Sequence, residues 1–390
     1  MAALQKNRLR FLDGMRGLAA LCIVFHHLSR HLYFGLPKVE WLSFVGIWEG
    51  FWHALISMSD FYVWVAVRLF FLLSGFCIHL KYAQSLSQSK ELDFSFLKYF
   101  LKRLKKLYPI LAAAIVITFA CDFLSSRILA DTHVTLPDSL ETRSLLVGGH
   151  KNILSVLGTF VFMEPFFVEP YGSNYALWFI GHLGWFYMLY PVYLFISKRW
   201  GGAIAMIFSM FVGAVSILAL RDVNFPLYPV FKNWWNWCFG AFLAEIYVGR
   251  YLRSFSKIFQ KISLWVAGII FLGASYLAAQ LPRNVALTGD ILWYPVLGFL
   301  IFVPLLSLKR SIAYYRRALN FFAGIGDMSF QLYASHIPVL VLISVFIHAR
   351  YVNKMPQGSF PSTIGFLCAF FVAYLVFFIT EKMTFKVTPR

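Results

Sequence analysis

Long apolar segments separated by short polar stretches dominate this chain. Ten of these segments approach the ~20 residues that a helix needs to cross the hydrocarbon core of a bilayer. Within that core, backbone polar groups must be satisfied inside the segment, which only helices and closed barrels achieve. The pattern therefore predicts an all-α polytopic membrane protein with about ten transmembrane helices. The predicted spans are 12–32, 61–80, 108–126, 175–197, 203–220, 228–249, 262–280, 291–308, 326–349 and 360–381.

An eleventh apolar segment, 152–168, is interrupted by Glu164-Pro165 and followed by Glu169-Pro170. With ten spans and a cytoplasmic N-terminus, 23 of the 35 lysines and arginines fall on the cytoplasmic side, as the positive-inside rule requires. If 152–168 also crossed, thirteen of those 23 would move outside. We therefore expect both termini in the cytoplasm and 152–168 as a re-entrant or interfacial segment on the outer side.

Composition supports a membrane protein and excludes several other classes. Hydrophobic residues make up 60% of the chain and charged residues only 13%, whereas soluble domains carry about a quarter charged residues. The net charge of +18 comes from basic residues between apolar segments, so no nucleic-acid partner is expected. The five cysteines are scattered without paired spacing, which argues against disulfides and zinc. We expect residues 1–390 to form a single membrane domain with no appended soluble domain.

The first span carries two ionisable residues, Arg16 and His27, eleven residues apart. On a helix they share one face and stand roughly 16 Å apart, with Arg16 near the cytoplasmic end. Ionisable groups at membrane depth mark a site or a pathway by default. The alternative is that Arg16 snorkels to the interface and His27 is a hydrogen-bonded packing residue. His26 is a rival candidate, offset from the Arg16 face by roughly 100°.

Two further basic features are Arg68, which lies in the second span, and a basic segment that leads into the third span. Arg68 lies seven residues before Gly75, so the two nearly align on a helix, and Gly75 permits close approach by a neighbouring helix or ligand. A buried arginine needs an anion, either a structural carboxylate or a substrate group. The basic segment from Lys98 to Tyr108-Pro109 suits either anionic lipid headgroups or a soluble anionic cofactor such as a nucleotide.

Other polar and aromatic candidates lie inside or beside the later spans. Trp234, in an Asn-Trp-Trp-Asn-Trp run, is either an interfacial anchor or a platform for a sugar ring. His336 lies deep in the ninth span, where a lone helical histidine is more often structural. His79, His182 and Glu245 show no evident partner in the sequence.

Together these motifs resemble the acyltransferase-3 family of integral membrane O-acyltransferases. The run Leu12-Asp13-Gly14-Met15-Arg16-Gly17, followed by His27, is similar to the family's opening signature. The later motifs resemble it in order: Arg68 with Ser74-Gly75-Phe76, Arg103 with Tyr108-Pro109, Trp178 with Phe186-Tyr187 and Tyr190-Pro191, and Met328-Ser329-Phe330 through His336. One departure stands in the fourth motif, where many members carry a glutamate pair and 180–185 here contains no carboxylate.

The resemblance implies transfer of an acyl group, usually acetyl, from cytoplasmic acyl-CoA. The acceptor it implies is a hydroxyl of an extracytoplasmic glycan or lipid-linked sugar, with a lipid or small metabolite as the alternative acceptor. It also implies a bacterial inner (plasma) membrane location, acetyl-CoA as a donor substrate, no permanently bound cofactor and no metal. An extended pantetheine arm is comparable in length to the separation of Arg16 and His27.

By the same resemblance, His27 is the general base and Arg68 stabilises the oxyanion or fixes a substrate. The residues expected to hold acyl-CoA are Arg16, Arg103, Lys106, Tyr108 and Ser74. Those expected to bind the acceptor are Trp178, His336 and Trp234. The competing hypothesis is a transporter or flippase for an acylated or anionic small molecule, since intramembrane Arg and His with a broken segment also suit a translocation path.

Overall fold

The structure is a computed structural model that describes residues 2–32, 43–88, 92–136, 141–149, 151–164, 166–220, 223, 225–249, 317–351 and 358–387. Throughout these ranges the regular elements are helices, as predicted, with no strand. They are α1 (Ala2–His31), α2 (Phe44–Ser87), α3 (Phe96–Thr132), α4 (Glu141–Gly148), α5 (Ile153–Phe160), α6 (Trp178–Trp200), α7 (Gly202–Val215), α8 (Tyr228–Tyr247), α9 (Ala323–Asp327), α10 (Ser329–Arg350) and α11 (Phe360–Val387).

Seven described helices are long and apolar enough to cross a membrane. Each coincides with a predicted span, because a run of apolar residues determines a membrane helix locally. The seven are Arg10–His31, Tyr62–Ser87, Phe96–Thr132, Tyr175–Trp200, Gly202–Leu220, Ser329–Arg350 and Phe360–Glu381.

The other three predicted spans have different outcomes. Span 228–249 corresponds to α8, a helix of 20 residues that is not among the seven because polar residues such as Asn236 and Glu245 interrupt its apolar run. Spans 262–280 and 291–308 lie outside the described residues. The total of ten spans and the cytoplasmic location of both termini therefore stay predictions.

The segment 152–168 does not form one long helix. Its helix α5 has eight residues, which at ~1.5 Å per residue is too short to span a bilayer. Beyond α5 the chain reverses through Phe162, whose φ is +62°, and a Cβ on Gly158 would lie 2.2 Å from the side chain of Val168. The segment therefore does not form a spanning helix; its re-entrant or interfacial location on the outer side stays a prediction.

The chain divides into two compact units, and α1, α2 and α6 each contribute one part to each unit. Unit 1 comprises Met1–Gly17, Val67–Leu97 and Trp185–Gly326. Unit 2 comprises Leu18–Ala66, Lys98–Gly184 and Asp327–Arg390.

In unit 1, helices α2 and α8 cross at glycines. A Cβ on Gly75 would lie 2.0 Å from the carbonyl oxygen of Trp237, and one on Gly240 would lie 1.9 Å from that of Leu72. Only glycine leaves room for two helix backbones at this distance. The predicted close approach at Gly75 is therefore to a neighbouring helix.

Unit 1 also buries a polar network around His79. Its Nε2 lies 2.9 Å from Glu245 Oε1 and its Nδ1 lies 2.9 Å from the hydroxyl of Tyr190. Glu245 also accepts a hydrogen bond from Ser197. Buried polar groups need such partners, so the network explains two intramembrane residues whose partners the sequence did not indicate.

In unit 2, the loop that leads into α6 is held by side chains of α3. Asp122 accepts hydrogen bonds from the backbone N–H of Ser173 at 2.9 Å and from its hydroxyl at 2.6 Å. Asn174 donates to Thr118 Oγ1 at 3.1 Å. All five cysteines are free in this structure.

Candidate active site

His27 lies in unit 2 on α1 and is half-buried. Its Nδ1 is 2.8 Å from the hydroxyl of Tyr175, the residue that opens the short 3₁₀ turn before α6. The two rings also meet edge to face, with centroids 5.5 Å apart. Among the described residues, none hydrogen-bonds to Nε2 of His27. One ring nitrogen is therefore held by the protein, and the other has no hydrogen-bond partner among the described residues.

His336 lies next to His27, with ring centroids 5.1 Å apart. It is completely buried, and its Nδ1 lies 2.8 Å from the carbonyl oxygen of Tyr333 and 3.1 Å from that of Leu332. Carbonyl oxygens only accept, so Nδ1 carries the proton and donates. The Nε2 of His336 has no hydrogen-bond partner among the described residues and is a bare acceptor when the ring is neutral.

A proline in α10 explains how Tyr175 is brought to this place. Pro338 has no N–H, so the carbonyl of Ala334, four residues earlier, loses its helical donor. The amide Nδ2 of Asn174 donates to that carbonyl at 2.9 Å. This bond holds Asn174, the residue before Tyr175, against α10 at Ala334, which lies two residues before His336.

Two more histidines surround this pair. The ring of His26 meets that of His27 edge to face at 5.0 Å. His31 is buried, and its Nδ1 lies 2.9 Å from Thr142 Oγ1. Within the described ranges, no three His, Cys, Asp or Glu side chains are placed to hold a metal ion.

Unit 1 contains Arg16, Arg68 and Ser74. Arg16 pairs with Asp13 at 2.6 Å and contacts Cys77 Sγ at 2.9 Å, and its side chain is 26% exposed. The guanidinium is therefore held in place yet remains accessible. Arg68 is half-buried on α2.

Ser74 joins motifs that the sequence placed far apart. Its hydroxyl accepts a hydrogen bond from Trp237 Nε1 at 3.2 Å and lies 3.4 Å from the hydroxyl of Tyr187. The second and fourth motifs therefore meet at this serine in unit 1.

The basic segment of α3, in unit 2, is partly exposed: Arg103 is half-buried and Lys106 is exposed. Arg103 and Lys106 are three residues apart and so share one side of the helix. Lys106 is exposed, and the Arg103 guanidinium lies over the ring of Tyr99, 5.5 Å from its centroid. Tyr108 stacks on Phe162 with an interplanar angle of 4°.

The two tryptophans predicted to bind the acceptor have different surroundings. Trp178 is half-buried at the start of α6, where its carbonyl accepts a hydrogen bond from His182 Nδ1 at 2.9 Å. Trp234 is only 2% exposed and packs edge to face on Phe208 in unit 1. A sugar therefore has no open face of the Trp234 ring on which to stack in this structure.

Glu164 is a buried carboxyl that the sequence analysis treated only as part of a helix break. It is 1% exposed, and its Oε2 accepts a hydrogen bond from Thr159 at 2.8 Å. Its Oε1 has no partner among the described residues. Burial raises the pKa of the Glu164 carboxyl to about 8, opposed by the bond from Thr159. The carboxyl is therefore largely protonated at neutral pH.

A family model described as an acyltransferase domain matches residues 9–382, nearly the whole chain. This chain belongs to the acyltransferase-3 family. The comparison confirms the resemblance seen in the ordered motifs. No curated protein and no solved structure matches the chain.

Membership in the acyltransferase-3 family, together with the apolar helices, makes this chain a membrane acyltransferase. Tyr175 is the residue near His27 that the motif analysis missed. It lies three positions before Trp178 of the fourth motif, and a tyrosine beside an apolar span carries no local signal of a contact with α1. The loop before it is held by the Asp122 and Thr118 contacts and by the bond from Asn174 to the Ala334 carbonyl, which Pro338 leaves without a helical donor.

Proposed function

We propose that this acyltransferase moves an acetyl group from cytoplasmic acetyl-CoA to a hydroxyl of an extracytoplasmic glycan or lipid-linked sugar. The observation that supports this most directly is the state of His27: Nδ1 is engaged by Tyr175, Nε2 has no described partner, and the residue is half-buried rather than sealed in the core. An imidazole presented in this way suits general-base catalysis on a hydroxyl.

In the proposed reaction, His27 Nε2 removes the proton from the acceptor hydroxyl as its oxygen attacks the thioester carbonyl. The tetrahedral intermediate collapses with cleavage of the carbon–sulfur bond, giving the O-acetyl ester. The imidazolium returns the proton to the leaving CoA thiolate. Arg68 is proposed to stabilise the oxyanion by charge-assisted hydrogen bonds.

The residues proposed to bind the donor, acetyl-CoA, have basic or polar side chains. Arg16 shares α1 with His27, eleven residues away, which is roughly 16 Å along a helix. Half-buried Arg103 and exposed Lys106 offer two cations for phosphate groups, and Tyr108 and Ser74 are proposed to contact the donor. For the acceptor, we propose Trp178 and His336, whose bare Nε2 can accept from a hydroxyl. Trp234 and His336 are both buried, so Trp178, which is half-buried, is the most accessible of the three predicted acceptor residues.

The function is tested with the purified full chain in detergent, acetyl-labelled acetyl-CoA and a panel of glycans and lipid-linked sugars. Label transferred to an acceptor, with release of free CoA thiol, supports the proposal. A transporter or flippase would move its cargo across reconstituted vesicles and leave the thioester intact. Label recovered only on a small metabolite or a lipid would replace the proposed acceptor class.

A further inference from the structure

His31 is a buried histidine at the end of α1 that the proposed reaction does not use. Its Nδ1 lies 2.9 Å from Thr142 Oγ1. Its Nε2 is buried and has no hydrogen-bond partner among the described residues. The position of the ring proton decides whether this buried Nε2 is a donor or an acceptor.

Two neighbouring hydroxyl groups fix the position of that proton. Ser344 donates to the backbone carbonyl of His31 at 2.9 Å. Since a hydroxyl has one proton and a carbonyl only accepts, Ser344 Oγ can only accept from Thr142, whose hydroxyl lies 3.2 Å away. The proton of Thr142 is thereby used, so its oxygen accepts from His31 Nδ1. The ring of His31 therefore carries a proton on Nδ1.

The ring of His31 is also neutral in this arrangement. A second proton would place an unpaired, charged N–H in the protein interior, which costs far more than an unpaired neutral group. The Nε2 of His31 is therefore a bare hydrogen-bond acceptor. His336 is in the same state, because its Nδ1 donates to backbone carbonyls and its buried Nε2 has no described partner.

Both bare acceptors belong to residues close to His27. His31 follows His27 by four residues, so the two share one face of α1, with Cβ atoms about 5–6 Å apart. His336 contacts the imidazole of His27, with ring centroids 5.1 Å apart. Buried polar groups are normally paired. Two unpaired acceptors near one half-buried histidine therefore indicate a ligand that donates hydrogen bonds.

We propose that His31 binds the acyl acceptor, and that this acceptor is a neutral polyhydroxy compound whose hydroxyl groups donate to Nε2 of His31 and of His336. As a statement about the acyl acceptor, this rests on the proposed function, in which His27 takes the proton of another hydroxyl of the same molecule. Carboxylate and phosphate oxygens only accept, so two bare acceptors disfavour an anionic group here. A hydroxyl donates without a charge, so its burial costs less than that of an ammonium group.

His31→Asn in the purified full chain separates ligand binding from folding. Asparagine places an amide nitrogen near the position of Nδ1, where it can donate to Thr142, and has no atom at the position of Nε2. We expect KM for the sugar acceptor to rise about tenfold, the scale of one neutral hydrogen bond, with kcat and KM for acetyl-CoA nearly unchanged. A rise in KM for acetyl-CoA alone, or no change in either KM, overturns the assignment.

His348→Asn is the matched control for this substitution. His348 is another buried histidine of unit 2, and its Nδ1 donates to the backbone carbonyl of Ser344 at 2.8 Å. The control therefore removes an imidazole of similar burial without removing a proposed ligand contact, and its KM values should equal those of the wild type. An equal rise in KM for the acceptor in both variants would make the effect of His31→Asn structural and overturn the assignment.

Nitrogen-15 NMR gives a measurement that needs no turnover. The full chain is labelled at its ten histidines and reconstituted in lipid, and the His31 resonances are assigned by their loss in His31→Asn. We expect a protonated Nδ1 and an unprotonated Nε2 whose resonance shifts saturably with glycerol, a small neutral triol, but not with acetate at the same concentration.

A protonated Nε2 of His31, or an Nε2 resonance that does not respond to glycerol, overturns the site; the second result would mean that water alone pairs with this nitrogen. If glycerol shifts the resonance but the wild type acylates none of the acceptors, the proposed function fails and the polyol site is supported. If the wild type acylates a sugar but glycerol has no effect, the proposed function is supported and the role of His31 is excluded.

Discussion

The imidazole rings of His27 and His336 lie 5.1 Å apart, although their residues stand near opposite ends of the chain. They differ in burial, because His336 is fully buried and His27 is half-buried. They also differ in their fixed bonds: His336 donates to backbone carbonyls of its own helix, whereas His27 meets a hydroxyl from another element. Of the two, His27 is the less deeply buried residue, which favours it as the proposed general base.

We therefore expect His27→Ala to lower the rate of acyl transfer by about 10²–10⁴-fold, the usual cost of removing a general base. The measurement is transfer of labelled acetyl by purified protein, with folding checked by thermal unfolding. His26→Ala is the matched control and should retain most activity. Wild-type turnover in folded His27→Ala would remove His27 from the role, and loss in His26→Ala alone would assign it to the neighbour.

Arg68→Lys tests whether the arginine acts on a reacting group or only pairs with a carboxylate. Lysine keeps the charge but lacks the planar fork of the guanidinium. We expect a loss of about 10²-fold or more in kcat, the order seen when one oxyanion donor is removed. Calorimetry with acetyl-CoA then separates the roles, since loss of oxyanion stabilisation leaves donor affinity nearly intact and loss of donor anchoring does not. A fully active Arg68→Lys enzyme would make the residue structural.

Cysteine labelling tests the predicted topology of 152–168 in a background without the five native cysteines. Lys151→Cys and Glu169→Cys place thiols at exposed positions on either side of the reversal.

Both introduced thiols should react with an impermeant reagent added outside intact cells. Lys98→Cys, on the predicted cytoplasmic side, should react only after permeabilisation. If Glu169→Cys behaves like Lys98→Cys while Lys151→Cys is labelled from outside, then 152–168 crosses the bilayer and the positive-inside assignment is wrong.

Gly75→Ala should destabilise the protein, because the new Cβ would lie 2.0 Å from the Trp237 carbonyl oxygen and force α2 and α8 apart. Overpacking of this kind costs about 1–3 kcal/mol. The measurement is the midpoint of thermal unfolding in detergent. Gly148→Ala is the control, since nothing lies within 4 Å of its Cβ. Equal midpoints for the two variants would contradict the close backbone contact.

Glu164 should make stability fall as pH rises. Burial raises its pKa from 4.5 to about 8, so the folded state holds a proton that the unfolded chain releases between these values. The stabilising contribution is complete below pH 4.5 and is lost as pH rises to about 8, by at most ~1.4 kcal/mol per pH unit.

Glu164→Gln keeps a neutral side chain of the same shape and removes the titration. The difference in unfolding midpoint between the two proteins should therefore change across pH 5–8, with the wild type losing more stability as pH rises. Parallel midpoints over this range would show that the carboxyl is ionised in the folded protein.

The sequence alone determined the helical class, the positions of seven spans and the family, because each depends on local information. A run of apolar residues specifies a membrane helix without reference to the rest of the chain. The break at Glu164-Pro165 likewise predicted that 152–168 would not continue as one helix. Glycine at position 75 indicated a close approach before the partner, Trp237, was known.

Only the tertiary structure decided which distant side chains meet. The Tyr175 contact with His27 depends on Asn174 reaching a carbonyl that Pro338 leaves free, and no periodicity in either segment encodes that bond. The partners of His79 likewise come from two other helices. Hydrophobic patterning indicates which residues enter the membrane. The pairing of buried polar groups is instead set by helix packing, because each buried polar group needs a hydrogen-bond partner and that partner can come from any part of the chain.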